Sequence, residues 1–259
     1  MSKNRITVMT TSDRTILRIS GKDTCAFLQG LITNDLDRLN DGLLYAAILT
    51  PQGKYLADFF LKRDADDILL DVSAAQAQML HQRLTMYKLR ADVAIEATDL
   101  HLHRGLGPVP EDGAADPRHA ALGWRAYRDT APTEADIDWT KLYVTHCVPN
   151  AGTELDESSY ILEMGFERLH GVDFRKGCYV GQEVTARMKH KTELRKGLAR
   201  VRVSGAAIFG TPILKDGREI GKLLSRSDDE ALAYLRFDRV GEGMTADAAK
   251  IEVIEPTGC

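Results

Sequence analysis

The sequence predicts an α+β protein that ends in a small β-barrel or sandwich. Three observations carry this prediction. Between residues 43 and 96 the apolar residues run as hairpin, strand, helix and strand, a pattern that lays a helix on a sheet. After residue 194 the texture changes to short alternating strands with turn signals between them, as in small all-β units. Hydrophobic residues make up 44% and charged residues 28% of 259, enough material for one large domain or two to three small ones.

Residues 15–19 form a strand that stops at Ser20-Gly21. Asp23 offers a helix N-cap, and Phe27, Leu28, Leu31 and Ile32 give that helix one apolar face. Residues 43–50 and 55–61 are two strands. Pro51-Gln52-Gly53-Lys54 turns between them, proline fixing one φ and glycine relaxing another. Residues 67–72 add a third strand. Ser73 then caps a helix over 74–87, whose Ala77, Leu80, Leu84 and Tyr87 share a stripe, and residues 92–96 return as a fourth strand. Residues 105–119 are rich in Gly, Pro, Ala and Asp and read as a surface loop or small insertion. Residues 124–127 are a brief strand, Thr133 caps a helix to about residue 146, and Pro149-Asn150-Ala151-Gly152 breaks the chain. Further on, residues 198–203 alternate, Asp216-Gly217 signals a hairpin, and residues 221–225, 231–237 and 251–254 supply more strands.

A net charge of -4 argues against a whole-surface nucleic-acid or membrane binder, so an anionic partner must meet a local patch. No stretch approaches the ~20 apolar residues of a membrane span, and Met1-Ser2-Lys3-Asn4-Arg5 leads into no signal-like apolar run. Cys25, Cys147, Cys178 and Cys259 have neither C-x-x-C nor zinc-finger spacing and read as scattered reduced thiols. The expectation is a cytoplasmic protein with no membrane contact and no stably bound metal. No P-loop or dinucleotide fingerprint is present.

The densest chemistry lies in Asp173-Phe174-Arg175-Lys176-Gly177-Cys178-Tyr179-Val180-Gly181-Gln182-Glu183 and runs on to Arg187. A thiolate at Cys178 is favoured by nearby cations, here Arg175 and Lys176, and by a helix starting near Gly181. Gly177 and Gly181 let the backbone approach a ligand closely. The other reading of Cys178 is a buried cysteine in a tight turn. Glu163, set among apolar neighbours, can accept two hydrogen bonds from a planar amino-heterocycle, or sit exposed at a helix end. Asp58 shares a strand face with Leu56 and Phe60 and so points inward, where it needs a partner or ligand; otherwise it is an edge-strand charge. The run Arg187, Lys189, His190, Lys191, Arg195, Lys196, interrupted by Glu193, suits phosphate, a polyglutamate tail or weak RNA contact, or is a solvated helix end.

Lys176-Gly177-Cys178-Tyr179-Val180-Gly181-Gln182-Glu183 with Arg187 closely resembles the signature of the YgfZ-type folate-binding proteins. These support the assembly or repair of iron–sulfur clusters, are associated with tRNA modification, and are relatives of the glycine-cleavage T protein, an aminomethyltransferase. Phe27-Leu28-Gln29-Gly30-Leu31-Ile32-Thr33-Asn34-Asp35, Leu49-Thr50-Pro51-Gln52-Gly53-Lys54 with Asp58, and the segment from Leu162-Glu163 to Asp173-Phe174 are similar to further parts of that family.

The resemblance implies a T-protein-like folate-binding fold, with three small domains in a ring and a C-terminal β-barrel. Residues 1–42 with about 122–194 would form a discontinuous first domain, 43–121 an α+β second domain, and 195–259 the barrel. Tetrahydrofolate or a one-carbon derivative would be the cofactor. Glu163 matches the T-protein residue that holds the pterin; Asp58, Lys176, Tyr179, Gln182 and Arg187 join it as implied folate contacts, and Cys178 is the essential thiol. T proteins carry two adjacent aspartates in the hairpin, whereas Ala57 precedes Asp58 here. The expectation is therefore an accessory factor working with iron–sulfur client or carrier proteins and affecting tRNA modification indirectly. A folate-dependent aminomethyl or one-carbon transferase is the alternative.

Overall fold

The structure, a computed structural model, describes residues 13–133, 136–191 and 194–255. The readings made above on Met1 to Arg5, Glu193 and Cys259 lie outside the described residues.

The chain enters through β1 (Arg14–Ser20) and a short helix, α1 (Thr24–Gln29). β2 (Leu44–Leu49) and β3 (Tyr55–Asp64) make the expected hairpin, followed by β4 (Asp67–Ser73), α2 (Ala74–Lys88) and β5 (Ala94–Ala97). These strands form one antiparallel sheet in the order β2-β3-β4-β1-β5. β1, from the segment allotted to the first domain, pairs with both β4 and β5. Ala77, Leu80 and Leu84 of α2 are buried, as the stripe requires, and join the cluster of Leu17, Ile19, Phe59 and Leu70 on one side of the sheet. Asp23 does not cap α1 with its side chain; its Oδ2 accepts from the Asp92 amide at 2.8 Å and ties the start of α1 to the approach to β5.

Residues 105–119 depart from the expected surface loop. β6 (His101–Gly105), β7 (Ala114–Ala115) and β8 (Trp124–Arg128) form a second, three-stranded sheet in the order β6-β8-β7. Two of the segment's charged residues are buried rather than solvated. Asp116 and Arg118 are each 5% exposed, and Arg118 grips Asp116 with two bonds at 3.0 and 2.8 Å. Arg125 on β8 bridges Asp116 at 3.0 Å to Asp71 on β4 at 2.8 Å, and Arg14 on β1 closes the series on Asp71 at 2.6 Å. A charge read alone predicts solvent; a charge with two buried partners stitches two sheets together.

This network sets an acid limit on the fold. Burial raises the Asp116 carboxyl, but Arg118 and Arg125 outweigh that and hold it well below its ordinary value of 3.8. A carboxyl depressed in the folded state contributes stability in full above its unfolded value, and loses it as pH falls through the folded one. Arg118→Met removes one of the two charges that depress Asp116. Acid unfolding followed by far-ultraviolet circular dichroism should then move to higher pH; an unmoved transition would count against the network.

α3 (Trp139–Thr145) is shorter than the helix expected from Thr133, because Asp138 caps it, accepting from the Lys141 amide at 2.9 Å. Cys147 is buried and disulfide-bonded, so the reduced-thiol expectation holds, among the described residues, for Cys25 and Cys178. α4 (Gln182–Lys191) precedes the barrel. Its strands are β9 (Lys196–Ser204), β10 (Pro212–Lys215), β11 (Arg218–Ser227), β12 (Glu230–Arg236), β13 (Thr245–Ala246) and β14 (Ala249–Glu255). They close in the order β10-β11-β12-β9-β14-β13. Asp216 and Gly217 both take positive φ, 51° and 70°, as a two-residue hairpin turn demands. Val201, Val203, Leu223, Ala233 and Leu235 fill the interior. On the outer face Leu198, Leu224 and Leu232 pack with Tyr143, Val144 and Ile161, which seats the barrel on the rest of the molecule.

Candidate functional site

Three stretches far apart in sequence meet around Cys178. Thr33 and Asn34, just past α1, act as a clasp. The Thr33 hydroxyl donates to the Gly171 carbonyl at 2.7 Å and accepts from the Ala47 amide at 2.9 Å. Asn34 Nδ2 donates to the Tyr45 carbonyl at 2.8 Å and the His170 carbonyl at 2.7 Å. The Asp173 amide donates to the Thr33 carbonyl. Asp173 Oδ1 in turn accepts from the Arg175 and Lys176 amides and turns the chain.

Lys176 is 5% exposed. Its Nζ donates to the carbonyls of Gln29 at 2.8 Å, Ile32 at 2.6 Å and Asn34 at 2.8 Å. The ammonium thus serves the carbonyl end of α1, where a helix dipole favours a cation. Burial pushes Lys176 down to about 8, against the pull of Asp35 and Asp173. Gly181 has φ +86°, and a Cβ there would lie 2.6 Å from the Thr50 carbonyl oxygen; a Cβ on Gly53, φ +73°, would lie 2.8 Å from Val184 Cβ. Both glycines let the start of α4 rest on the β2–β3 turn. Gly181 was expected to admit a ligand, and the partner it admits is this turn.

Between these anchors the chain exposes Cys178 as a free thiol. Tyr179 beside it is 8% exposed and belongs to the core; burial pushes its phenol up to about 12. Of the residues expected near folate, Lys176 and Tyr179 are therefore committed to internal contacts. Gln182 is half-buried at the start of α4. Arg187 is exposed and paired with Glu183 at 2.6 Å. Lys189, in the basic run, pairs with Glu167.

Asp58 points inward, 4% exposed. Its Oδ2 accepts from Tyr45 at 3.0 Å and its Oδ1 from Tyr55 at 2.5 Å. The sequence reading missed both tyrosines and misplaced Leu56, which packs on the opposite side of the sheet. A bulge between Ile48 and Leu49 is the cause: Ala57 faces Ile48 while Tyr55 faces Leu49, so the extra residue brings Tyr55 onto the face of Asp58.

Glu163 lies elsewhere. It is 8% exposed and borders a cavity of about 550 Å³ between α4, the segment entering β9, and the outer face of β11 and β12. Tyr234, also missed from sequence, donates to Glu163 Oε2, and Lys196 Nζ stands 4.0 Å from the same oxygen. Burial and the Glu163 acceptor push the Tyr234 phenol well above its ordinary value. Among the described residues Oε1 accepts no hydrogen bond. Neither Asp58 nor Cys178 lines this cavity. The structure thus brings together the three motif stretches around Cys178, and keeps Glu163 and Asp58 in separate environments.

Residues 195–258 match the family model described as the CAF17 C-terminal beta-barrel domain. Most of the chain is similar to iron–sulfur cluster assembly factors named IBA57. The homologue from Mycosarcoma maydis is 33% identical over 77% of this chain and 57% of its own length. The human protein is 29% identical over 88% of this chain and 76% of its own length. The chain therefore spans little more than half of the first relative and three quarters of the second. Among solved structures, the glycine cleavage system aminomethyltransferase T from Bartonella henselae superposes with TM-score 0.74 over 95% of this chain and 84% of that one, at 13% identity. That likeness shows the fold: the T-protein-like α+β architecture with a C-terminal barrel stands as expected. The relatives carry the coarser expectation of homology to iron–sulfur assembly factors. They overturn the cytoplasmic expectation, because the curated relatives are named as mitochondrial proteins.

Proposed function

We propose that the chain supports the assembly or repair of iron–sulfur clusters in client proteins, with Cys178 offered to the cluster as a thiolate. The observation that carries this reading is the free, exposed thiol on a loop pinned at both ends, by Lys176 on one side and Gly181 on the other. The names of the relatives support the process. Clusters commonly take about four thiolate ligands, and among the described residues no group of three or more metal-ligating side chains gathers. The remaining ligands come from a client or carrier protein. Effects on tRNA modification follow indirectly, through cluster-dependent enzymes. Growth of a deletion strain tests the reading: the wild-type gene restores cluster-enzyme activity, and Cys178→Ser does not.

Folate is part of the same proposal. A cavity of about 550 Å³ is of the size that holds small ligands, and Glu163 keeps one oxygen for a planar donor such as the pterin edge. Glu163 and Tyr234 would hold the pterin, and bound tetrahydrofolate would supply a carrier for one-carbon units. Tetrahydrofolate should raise the melting temperature by a few degrees at saturating concentration, and Glu163→Gln should abolish most of that shift. No shift with the wild type removes folate from the account. The transferase alternative has less support, since both oxygens of Asp58 are taken by tyrosines outside this cavity. Arg187 and Lys189 are ion-paired, which lowers the free charge that the basic run offers to RNA.

A further inference from the structure

We infer that the cavity beside Glu163 recognises the polyglutamyl tail of a reduced folate through cations on the outer face of the barrel. The inference rests on the folate reading above and extends it to the anionic end of the ligand.

Strand alternation builds the cavity wall. On β9, β11 and β12 the outward side chains change character along each strand. Leu198, Leu224 and Leu232 are buried against the core of the molecule; two residues along each strand, Lys196, Lys222 and Tyr234 turn to the cavity. Arg236 follows Tyr234 on the same face, and Arg195 completes the basic wall. The registers set these groups side by side, with Lys222 opposite Tyr234 and Lys196 opposite Arg236. Two cations directly across a strand pair repel one another, and an anion between them relieves that repulsion.

The internal carboxylates do not fully neutralise this wall. Two acidic groups, Glu163 and Glu219, line the cavity against four basic ones. Lys196 leans towards Glu163 at 4.0 Å, and Arg236 meets Asp238 at 3.3 Å. Arg195 and Lys222 are exposed and make no ion pair among the described residues. A ligand that suits the whole cavity carries planar N–H donors at one end, for Glu163, and several carboxylates at the other. A pterin joined to γ-linked glutamates has that order of groups. A single terminal glutamate carries two carboxylates; each added glutamyl unit brings another within reach of the exposed cations.

The test is calorimetric titration of the full chain with 5-formyltetrahydrofolate bearing one or five glutamyl residues. The pentaglutamate should bind about fivefold more tightly at low salt, given roughly 1 kcal/mol from two exposed ion pairs, and the advantage should shrink as salt screens the charges. In the double variant Arg195→Gln with Lys222→Gln the two ligands should bind alike. Both side chains are exposed, so the fold should persist, checked by an unchanged melting temperature without ligand. Equal binding of both ligands to the wild type overturns the tail inference and leaves the folate reading intact. So does a pentaglutamate advantage that survives in the double variant. Absence of binding by either ligand overturns the folate reading and this inference with it.

Discussion

Lys176→Met should lower the melting temperature by roughly 5–10 °C, from a loss of about 2–4 kcal/mol. The side chain is 5% exposed and its ammonium donates to three carbonyls that converge just past α1. Methionine keeps the apolar stem and removes all three donors, and buried acceptors lose the partner that justified their desolvation. Arginine should not restore the loss, because a flat guanidinium cannot aim three donors at one converging set of carbonyls. The loop would loosen where it carries Cys178, so hydrogen exchange at residues 173–180 should speed up more than exchange in the barrel. A melting temperature within one or two degrees of the wild type would mean that Lys176 is not the anchor proposed.

Gly181→Ala is expected to cost about 2–4 kcal/mol, combining a left-handed backbone with a steric overlap. Its φ of +86° disfavours any Cβ, and that Cβ would lie 2.6 Å from the Thr50 carbonyl oxygen and 2.9 Å from Leu49 Cβ. The turn at residues 50–53 is held by its own backbone bonds, among them the Thr50 amide to the Lys54 carbonyl at 2.8 Å, so α4 must move instead. Gly177→Ala is the matched control. No atom lies within 4 Å of its Cβ position, and the expected change is under about 0.5 kcal/mol. Chemical denaturation of the two variants should separate them clearly; equal stabilities would dissolve the distinction between a packing glycine and an open one.

Much of the fold was legible because its strands alternate. β1 to β4, α2, the Asp216-Gly217 hairpin and the barrel all follow from local pattern, and local pattern agrees with tertiary packing there. β6 and β7 were not legible. Their segment carries charges that solvation normally claims, and their burial follows from the Asp116–Arg118 pair and from Arg125 on β8, which is itself tied to Asp71 on β4. Asp58 was placed inward correctly, but the bulge that supplies Tyr55 depends on a register that sequence does not print. The motif stretch stands out in the sequence as a cluster of unusual residue types. What it does structurally was hidden, because the partners of Lys176 lie more than 140 residues upstream. A lysine next to a cysteine suggests a thiolate counter-ion, whereas here its three donors are spent on backbone. Tyr234 gave no signal apart from its outward position on β12, and it became a site residue only when the barrel closed.

The central claim is that the pinned, exposed thiol of Cys178 is the working group. Its most direct test is the activity of cluster-dependent enzymes in a deletion strain carrying Cys178→Ser, with soluble protein held at wild-type level and Cys25→Ser as the second exposed-thiol control. Cys178→Ser should leave those enzymes as inactive as in the deletion strain, while Cys25→Ser should restore them. Full recovery with Cys178→Ser would contradict it.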